Sequence, residues 1–223
     1  MRPIVITRQL SAADDNGIAL AHVYGAAGNL TLDGALVTSG VAQLGQQRHV
    51  ALASTGNLSG INFTVYGTDD QGNSIHQTIA GPNNDSVETT LNFSTVTRIA
   101  FDAVIGTAVM AGTSAVGESP PIPLDYLAPN SRSTISLEFD GVADATVQFT
   151  NDNVFSDDPL LFGQTVDEFY STPFVWNDHP STSLVAANSN DYGFTDVTMF
   201  AVRLKNNSGT GSVTMRIVQQ SLH

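Results

Sequence analysis

Two neighbouring carboxylates, Asp69 and Asp70, are followed six residues later by a histidine, His76. Paired oxygen ligands are raw material for a calcium loop. A carboxylate near an imidazole is raw material for acid–base chemistry. A calcium loop, however, needs more oxygen donors at fixed spacing, and GTDDQGNS does not follow the EF-hand pattern. The structural reading is a hairpin turn in which Asp and Asn cap the backbone and Gly72 takes a positive φ. Asp157-Asp158-Pro159 reads as a second turn opener. The other histidines, His22, His49, His179 and His223, fall at neither HxH nor HExxH spacing. His49 and His76 sit in strand-like stretches, as polar-face residues that could meet across a sheet. His179, in NDHP, lies in an irregular stretch, where catalysis would require a nucleophile and an orienting partner. No GxSxG, Walker loop or dinucleotide fingerprint occurs. Glycosidase chemistry needs only two facing carboxylates, which leave no motif. The sole tryptophan, Trp176 in STPFVWNDHP, is either a half-buried core residue or an exposed anchor for a partner.

The composition says what elements must position these residues. Charged residues make up 13% of the 223, about half the usual share, and Thr, Ser, Asn and Gly take their place. Hydroxyl and amide side chains suit turns and exposed strand faces. The apolar fraction, 41%, is enough for a real core. Acids outnumber bases 21 to 8, giving a net charge of −13, and Lys205 is the one lysine. Such a chain repels phosphates and lacks a basic stripe, so nucleic acid is not an expected partner. The acidity serves solubility or a basic protein surface. The absence of cysteine excludes disulfides, thiol nucleophiles and cysteine-ligated zinc. The stretch MRPIVITRQLSAADDNG has no apolar run of signal-peptide length, and no window approaches a membrane span. The expectation is a protein made in a cytoplasm, with no membrane partner and no cofactor or metal.

The chain reads as strands and turns. SAADDNGIALAHVYGAAG fits a short helix broken by Gly17 and Gly25, or an extended arm with short strands. From Arg48 the alternation is clear: Ile61, Phe63 and Val65 point one way, and Ile75, Gln77 and Ile79 alternate with His76 and Thr78. Val96, Ile99 and Phe101 anchor the next strand, and TAVMAGTSAVGES gives a short strand with a glycine-rich exit. Residues 118–131 carry four prolines and mark a linker or a long edge crossing. Alternation resumes at Ile135, Leu137 and Phe139, and again at Ala145, Val147 and Phe149. Residues 151–196 form a long excursion of the kind that carries function or contacts. VTMFAVRLK, the turn NNSGTG and SVTMRIVQ read as a closing hairpin. The fold class is all-β with little helix: two β-sandwich or jelly-roll-like units. The expected layout is an N-terminal arm plus β domain over 1–117, a proline-rich linker over 118–131 and a C-terminal β domain over 132–223.

The stretch GINFTVYGTDDQGNSIHQTIAGPNNDSVETTLNFSTVTRIAF resembles a segment common in virion proteins of tailed bacteriophages. An FTVxGTD strand, here Phe63 to Asp69, leads through Gly72 to a polar strand and a GPN turn at Gly81 to Asn83. Phe93 and the TVTxI strand from Thr95 to Ile99 follow. TVQFTNDNVF, then Trp176, then FAVRLKNNSGTGSVTMRIVQQ, is similar to the same group. The resemblance spans about residues 25–118 and 134–220. It implies a non-enzymatic structural protein of the particle: a capsid decoration (cement) protein or, alternatively, a tail, fibre or head–tail accessory protein able to bind glycan. It further implies the major capsid protein as partner, a homo-oligomer such as a trimer, and a place on the capsid surface after assembly in the host cytoplasm. An arm can add a strand to a neighbour's open sheet edge. The candidate partner contacts are therefore Pro3, Ile4, Val5 and Ile6 of the arm, with Trp176 and His179 of the excursion.

Overall fold

The computed structural model describes residues 4–70, 72–124, 133–152, 175–185, 191–195 and 199–219. Alternating burial is the organising signal along the chain. β1 (Ile4–Leu10) and β2 (Asp14–Tyr24) are joined by a short connector. β3 (Gly28–Asn29) and β4 (Val37–Thr38) are single rungs that precede the long β5 (Val41–Ser54). β6 (Asn62–Thr68), β7 (Ser74–Ala80), β8 (Ser86–Glu88) and β9 (Phe93–Phe101) follow, then the equally long β10 (Ile105–Glu118). The second half holds β11 (Ile122–Pro123), β12 (Ser133–Asp140), β13 (Ala143–Thr150), β14 (Asn177–Val185), β15 (Asp191–Thr195), β16 (Ala201–Gly209) and β17 (Ser212–Gln219). Among the described residues there is no helix, so Asp14–Tyr24 takes the extended alternative.

All ladders are antiparallel. One sheet has four strands in the order β1-β17-β12-β15. The other has thirteen, with the path β14-β13-β16-β10-β5-β9-β6-β7 and short strands flanking it. Apolar burial concentrates in two clusters. The first gathers Val50 and Leu52 of β5, Phe63 and Val65 of β6, Phe93, Val96, Ile99 and Phe101 of β9, and Ile105 and Val109 of β10. The second lies where the small sheet meets β13, β16 and β11. Leu10, Ile135, Leu137, Phe139, Val213, Met215 and Ile217 pack there against Ile122, Ala145, Val147, Val202 and Leu204.

β10 ties the two clusters together. Its first part pairs with β5 and β2, and its last residues, Gly117 and Glu118, pair with Asn206 and Lys205 of β16. The glycine-rich exit expected after a short strand is thus absorbed into one strand of 14 residues. The opening of the proline segment runs along β16. Ile122 pairs with Val202 and is fully buried, and Ser119 N and Leu124 N donate to Leu204 O and Phe200 O. The rest of that segment, 125–131, lies outside the described residues.

Two further expectations are corrected. The excursion is not irregular throughout its described part: β14 and β15 lie within it, and His179 is a residue of β14. β16 and β17 are not a hairpin: β16 pairs with β13 in the large sheet, and β17 pairs with β1 and β12 in the small one. The chain turns a corner between the two sheets instead. β12 and β13 turn a similar corner beside it, and Thr210 N and Gly211 N both donate to Val142 O at 2.9 and 2.8 Å. Gly209 holds φ at +101° where the two corners touch, a conformation open to glycine at little cost. The apolar sets Val202/Leu204 and Val213/Met215/Ile217 therefore face each other across one core.

Candidate functional site

The Asp69–Asp70–His76 grouping separates into two structural devices. Asp69 caps the turn: its Oδ1 accepts from Asn73 N at 2.9 Å and its Oδ2 from Asn73 Nδ2 at 3.0 Å. Gly72 has φ +83°, as the turn reading expects. His76 stands opposite Tyr66 in the β6–β7 ladder and stacks on its ring at 5.7 Å and 21°. The Arg98 guanidinium also lies over the Tyr66 ring, 4.0 Å from its centre, so His76 and Arg98 both pack on this tyrosine. Among the described residues no group of three or more His, Asp or Glu is placed to hold a metal. Asp157, Asp158 and His223 lie outside them.

Of the remaining histidines, His22 Nε2 meets Asp33 Oδ2 at 2.7 Å. This contact, with the Leu20 N–H that also reaches Asp33, holds the Asp33 carboxyl below its usual range. His49 and His76 do not meet. His49 lies on β5, with Nδ1 3.8 Å from Glu88 Oε2.

The arm is a strand over its described part; Pro3 lies outside it. Ile4, Val5 and Ile6 pair with Gln219, Val218 and Ile217 of β17 in the same chain. β1 is the rim of the small sheet, and its other edge has no ladder partner among the described residues. Ile6 leans on the second core, whereas Val5 is 58% exposed beside Val218, itself 41% exposed. Two buried side chains of β5 grip the connector behind the arm. Arg48 donates through Nη2 to Ala12 O at 2.6 Å and Ser11 O at 3.1 Å, and through Nε to Ser114 O at 2.9 Å. Gln46, with its amide oriented to match its neighbours, donates to Gln9 O and accepts from Ser11 N. Burial pushes the Arg48 guanidinium down to about 10, still charged at neutral pH.

Trp176 and His179 part company. Trp176 is half-buried on the face of the large sheet that carries Arg203, whose guanidinium carbon lies 4.3 Å from the ring centre. Arg203 donates to Gln148 Oε1 through Nε at 2.9 Å and Nη2 at 2.7 Å, and to Glu118 Oε2 through Nη1 at 2.5 Å. Gln148 in turn donates to Asp178 Oδ1 at 2.8 Å. Ladder register explains the convergence. Gln148 stands opposite both Arg203 and Asp178, and Glu118 opposite Lys205, two residues along the same face of β16. His179, next in sequence, points the other way. It is 3% exposed, edge-on to Phe149 at 6.3 Å, and burial lowers its imidazole pKa.

Asp70 lies within electrostatic reach of Arg203 and Glu118, so the β6–β7 turn approaches this network. Partial loss of water, reinforced by the Asp69 carboxylate, pushes the Asp70 carboxyl above its ordinary range, although the residue keeps an exposed surface. Sequence reading missed Glu118, Gln148, Asp178 and Arg203. The available signal was a single arginine at the polar positions of a strand in a chain that uses charge sparingly. What the arrangement supplies is an aromatic ring held over an arginine that is itself fixed by Glu118 and Gln148. No protein-family model matches the chain, and no curated protein matches it.

Proposed function

We propose that this chain is a non-enzymatic structural protein of a tailed-phage particle, a capsid decoration protein that binds the major capsid protein lattice as a homo-oligomer and stabilises the head. The observation that carries the reading is where the phage-like pattern falls. Its FTVxGTD, GPN and TVTxI elements are β6, the turn after β7, and β9, in consecutive antiparallel ladders. Its TVQFT and AVRL elements are β13 and β16, paired to each other in the same sheet. The pattern thus describes a frame of strands and turns, the kind of element that a particle component uses to hold shape. A two-unit, jelly-roll-like organisation joined by the proline segment belongs to this proposal.

Two surfaces support a contact role. The rim of β1, which pairs only with β17 among the described residues, is placed to add a neighbour's strand. The Trp176–Arg203 station offers an aromatic and an arginine already fixed by their own neighbours, the residue types that most often anchor interfaces. The acidic surface suits a basic partner face.

Cryo-electron microscopy of purified particles, with copy number from quantitative mass spectrometry, tests the proposal. Density over the capsid shell and a copy number matching the lattice are expected. Copies confined to the tail or the head–tail junction would move the chain to the alternative, a tail, fibre or head–tail accessory protein. No copies in the particle would end both readings.

A further inference from the structure

The outer face of β6, β7 and β9 carries a row of three planar polar groups. Register puts His76 of β7 opposite Tyr66 of β6, and Tyr66 opposite Arg98 of β9. β7 and β9 lie on the two sides of β6, so the Tyr66 ring is flanked from both. The His76 ring stacks on it at 5.7 Å, and the Arg98 guanidinium lies 4.0 Å from its centre. A bulge aims the arginine. The β6–β9 register slips between Tyr66 and Gly67, which leaves Thr97 as an extra residue. Thr97 and Arg98 are in consequence both exposed, between buried Val96 and Ile99. Bulges re-aim side chains and are over-represented beside functional sites.

What sets Arg98 apart is a charge with no answer. Arg8, Arg48, Arg203 and Arg216 each donate to an oxygen of the protein. Arg98 alone among the described arginines has neither a hydrogen bond nor an ion pair to the described residues, in a chain where acids outnumber bases 21 to 8. The carboxylates at the ends of these ladders are already engaged, Asp69 with Asn73 and Asp102 with Asn62. The contact with the Tyr66 ring holds the guanidinium in place without using its N–H donors. The Tyr66 hydroxyl, at the centre of the row, also has no partner among the described residues.

These groups select the chemistry of a ligand. The planar fork of a guanidinium matches a carboxylate bidentately. The net charge of −13 opposes anions of higher charge more strongly. The rest of the face says what carries the carboxylate. Thr64 and Thr78 share a hydroxyl bond at 2.8 Å on one side of the row, and Thr68 and Thr95 share another at 2.8 Å on the other. None of the large apolar side chains exposed among the described residues lies on β6, β7 or β9. A protein partner calls for an aromatic or apolar anchor at the centre of its contact, and here His76 and Arg98 occupy both sides of the tyrosine ring. A ligand that brings its own hydroxyl groups fits this surface better. We infer that this face binds a carboxylated saccharide, a uronic or sialic acid residue. Its carboxylate lies on Arg98, and its hydroxyls meet the Tyr66 hydroxyl and the His76 imidazole.

The test is an NMR titration of the full chain with glucuronate and with N-acetylneuraminate, at fixed pH and ionic strength. Glucose, acetate, N-acetylglutamate methylamide and inorganic phosphate serve as comparison probes. Saturable shifts of the Thr97 and Arg98 backbone amides and of the Arg98 Nε–H are expected with at least one acidic sugar. Glucose should leave them unmoved, and the other three should bind more weakly than that sugar. Arg98→Gln should weaken the sugar at least about tenfold, the loss of one charge-assisted hydrogen bond. Tyr66→Phe keeps the ring under Arg98 and should also weaken it, through the missing hydroxyl. Both side chains point away from the apolar cores, and the backbone spectrum of each variant verifies its fold. If neither acidic sugar moves these signals, if glucose or phosphate moves them as readily, or if either variant binds undiminished, the inference is wrong. Acetate or the glutamate derivative binding as tightly as the sugar would also overturn it, by assigning the face to a bare carboxylate. The titration needs no particle, so its outcome is independent of the capsid reading.

Discussion

Replacing Arg203 with methionine tests whether the Trp176 station is held by charge. The change keeps an unbranched apolar stem and removes the guanidinium. Glu118, whose side chain is 13% exposed, loses its partner at 2.5 Å. Gln148, 7% exposed, loses both donors to its Oε1. The Trp176 ring loses its cation. Stranding a largely buried carboxylate costs about 1.5–3 kcal/mol for its charged hydrogen bond, and the ring contact adds about 0.5–1 kcal/mol. The sum is a destabilisation of about 3 kcal/mol, at the lower end of the roughly 3–5 kcal/mol range for breaking a buried pair. Urea unfolding, followed by fluorescence of the single tryptophan, reads both stability and environment: the midpoint should fall by about 1 M or more, and the native emission should change. Adding Glu118→Gln to the variant removes the stranded charge and should recover about half of the loss. A single variant within about 0.5 kcal/mol of the parent would refute the reasoning. So would a double variant whose loss is the simple sum of its parts.

Arg48→Met should cost about 3 kcal/mol by orphaning the Ser11, Ala12 and Ser114 carbonyls, and hydrogen exchange over residues 4–10 should accelerate; unchanged exchange there would show that the grip on the arm is idle. Gly209→Ala places a Cβ 2.3 Å from Val142 O in a left-handed backbone, with an expected loss of about 2 kcal/mol or more in thermal or urea unfolding. His49 and His179 are held below the ordinary imidazole value of about 6.5 by burial, which for His49 outweighs the pull of Glu88 and Glu118. The unfolded chain therefore takes up those protons first, so stability is full above that value and falls as pH drops through it. His49→Gln with His179→Asn should flatten the Tm profile between about pH 7.5 and 5.5; an unaltered slope would assign the dependence to other groups.

The sequence made the strands legible and left their partners hidden. Alternation at Ile61, Phe63 and Val65, with turn chemistry at Asp69–Gly72, was enough to define the β6–β7 hairpin, because both signals are local. The same alternation at Val202/Leu204 and Val213/Met215 suggested a hairpin where the chain changes sheets. A hairpin and a corner share that pattern, and what separates them here is contact with Val142, far upstream. β2 was ambiguous because Gly17 and the alanines blur its period, and its pairing with β10 decides for strand. The Arg203 network escaped notice for a plainer reason: Glu118 and Arg203 are 85 positions apart, and only register across β10, β16, β13 and β14 aligns them. The bulge that turns Arg98 outward is a slipped register, which leaves no periodic trace.

The pairing of β1 with β17 has a mechanical side. Ile4 stands opposite Gln219 and Leu10 opposite Val213, so the outermost described segments leave the fold side by side. Tension between those two ends would load the ladder one rung at a time, beginning at Ile4–Gln219, and would peel it open like a zipper. Tension applied between the two cores meets β10 instead, where one continuous backbone and many transverse hydrogen bonds share the load. A load applied through Ile4 and Gln219 meets a soft link; one applied through the cores meets a strut.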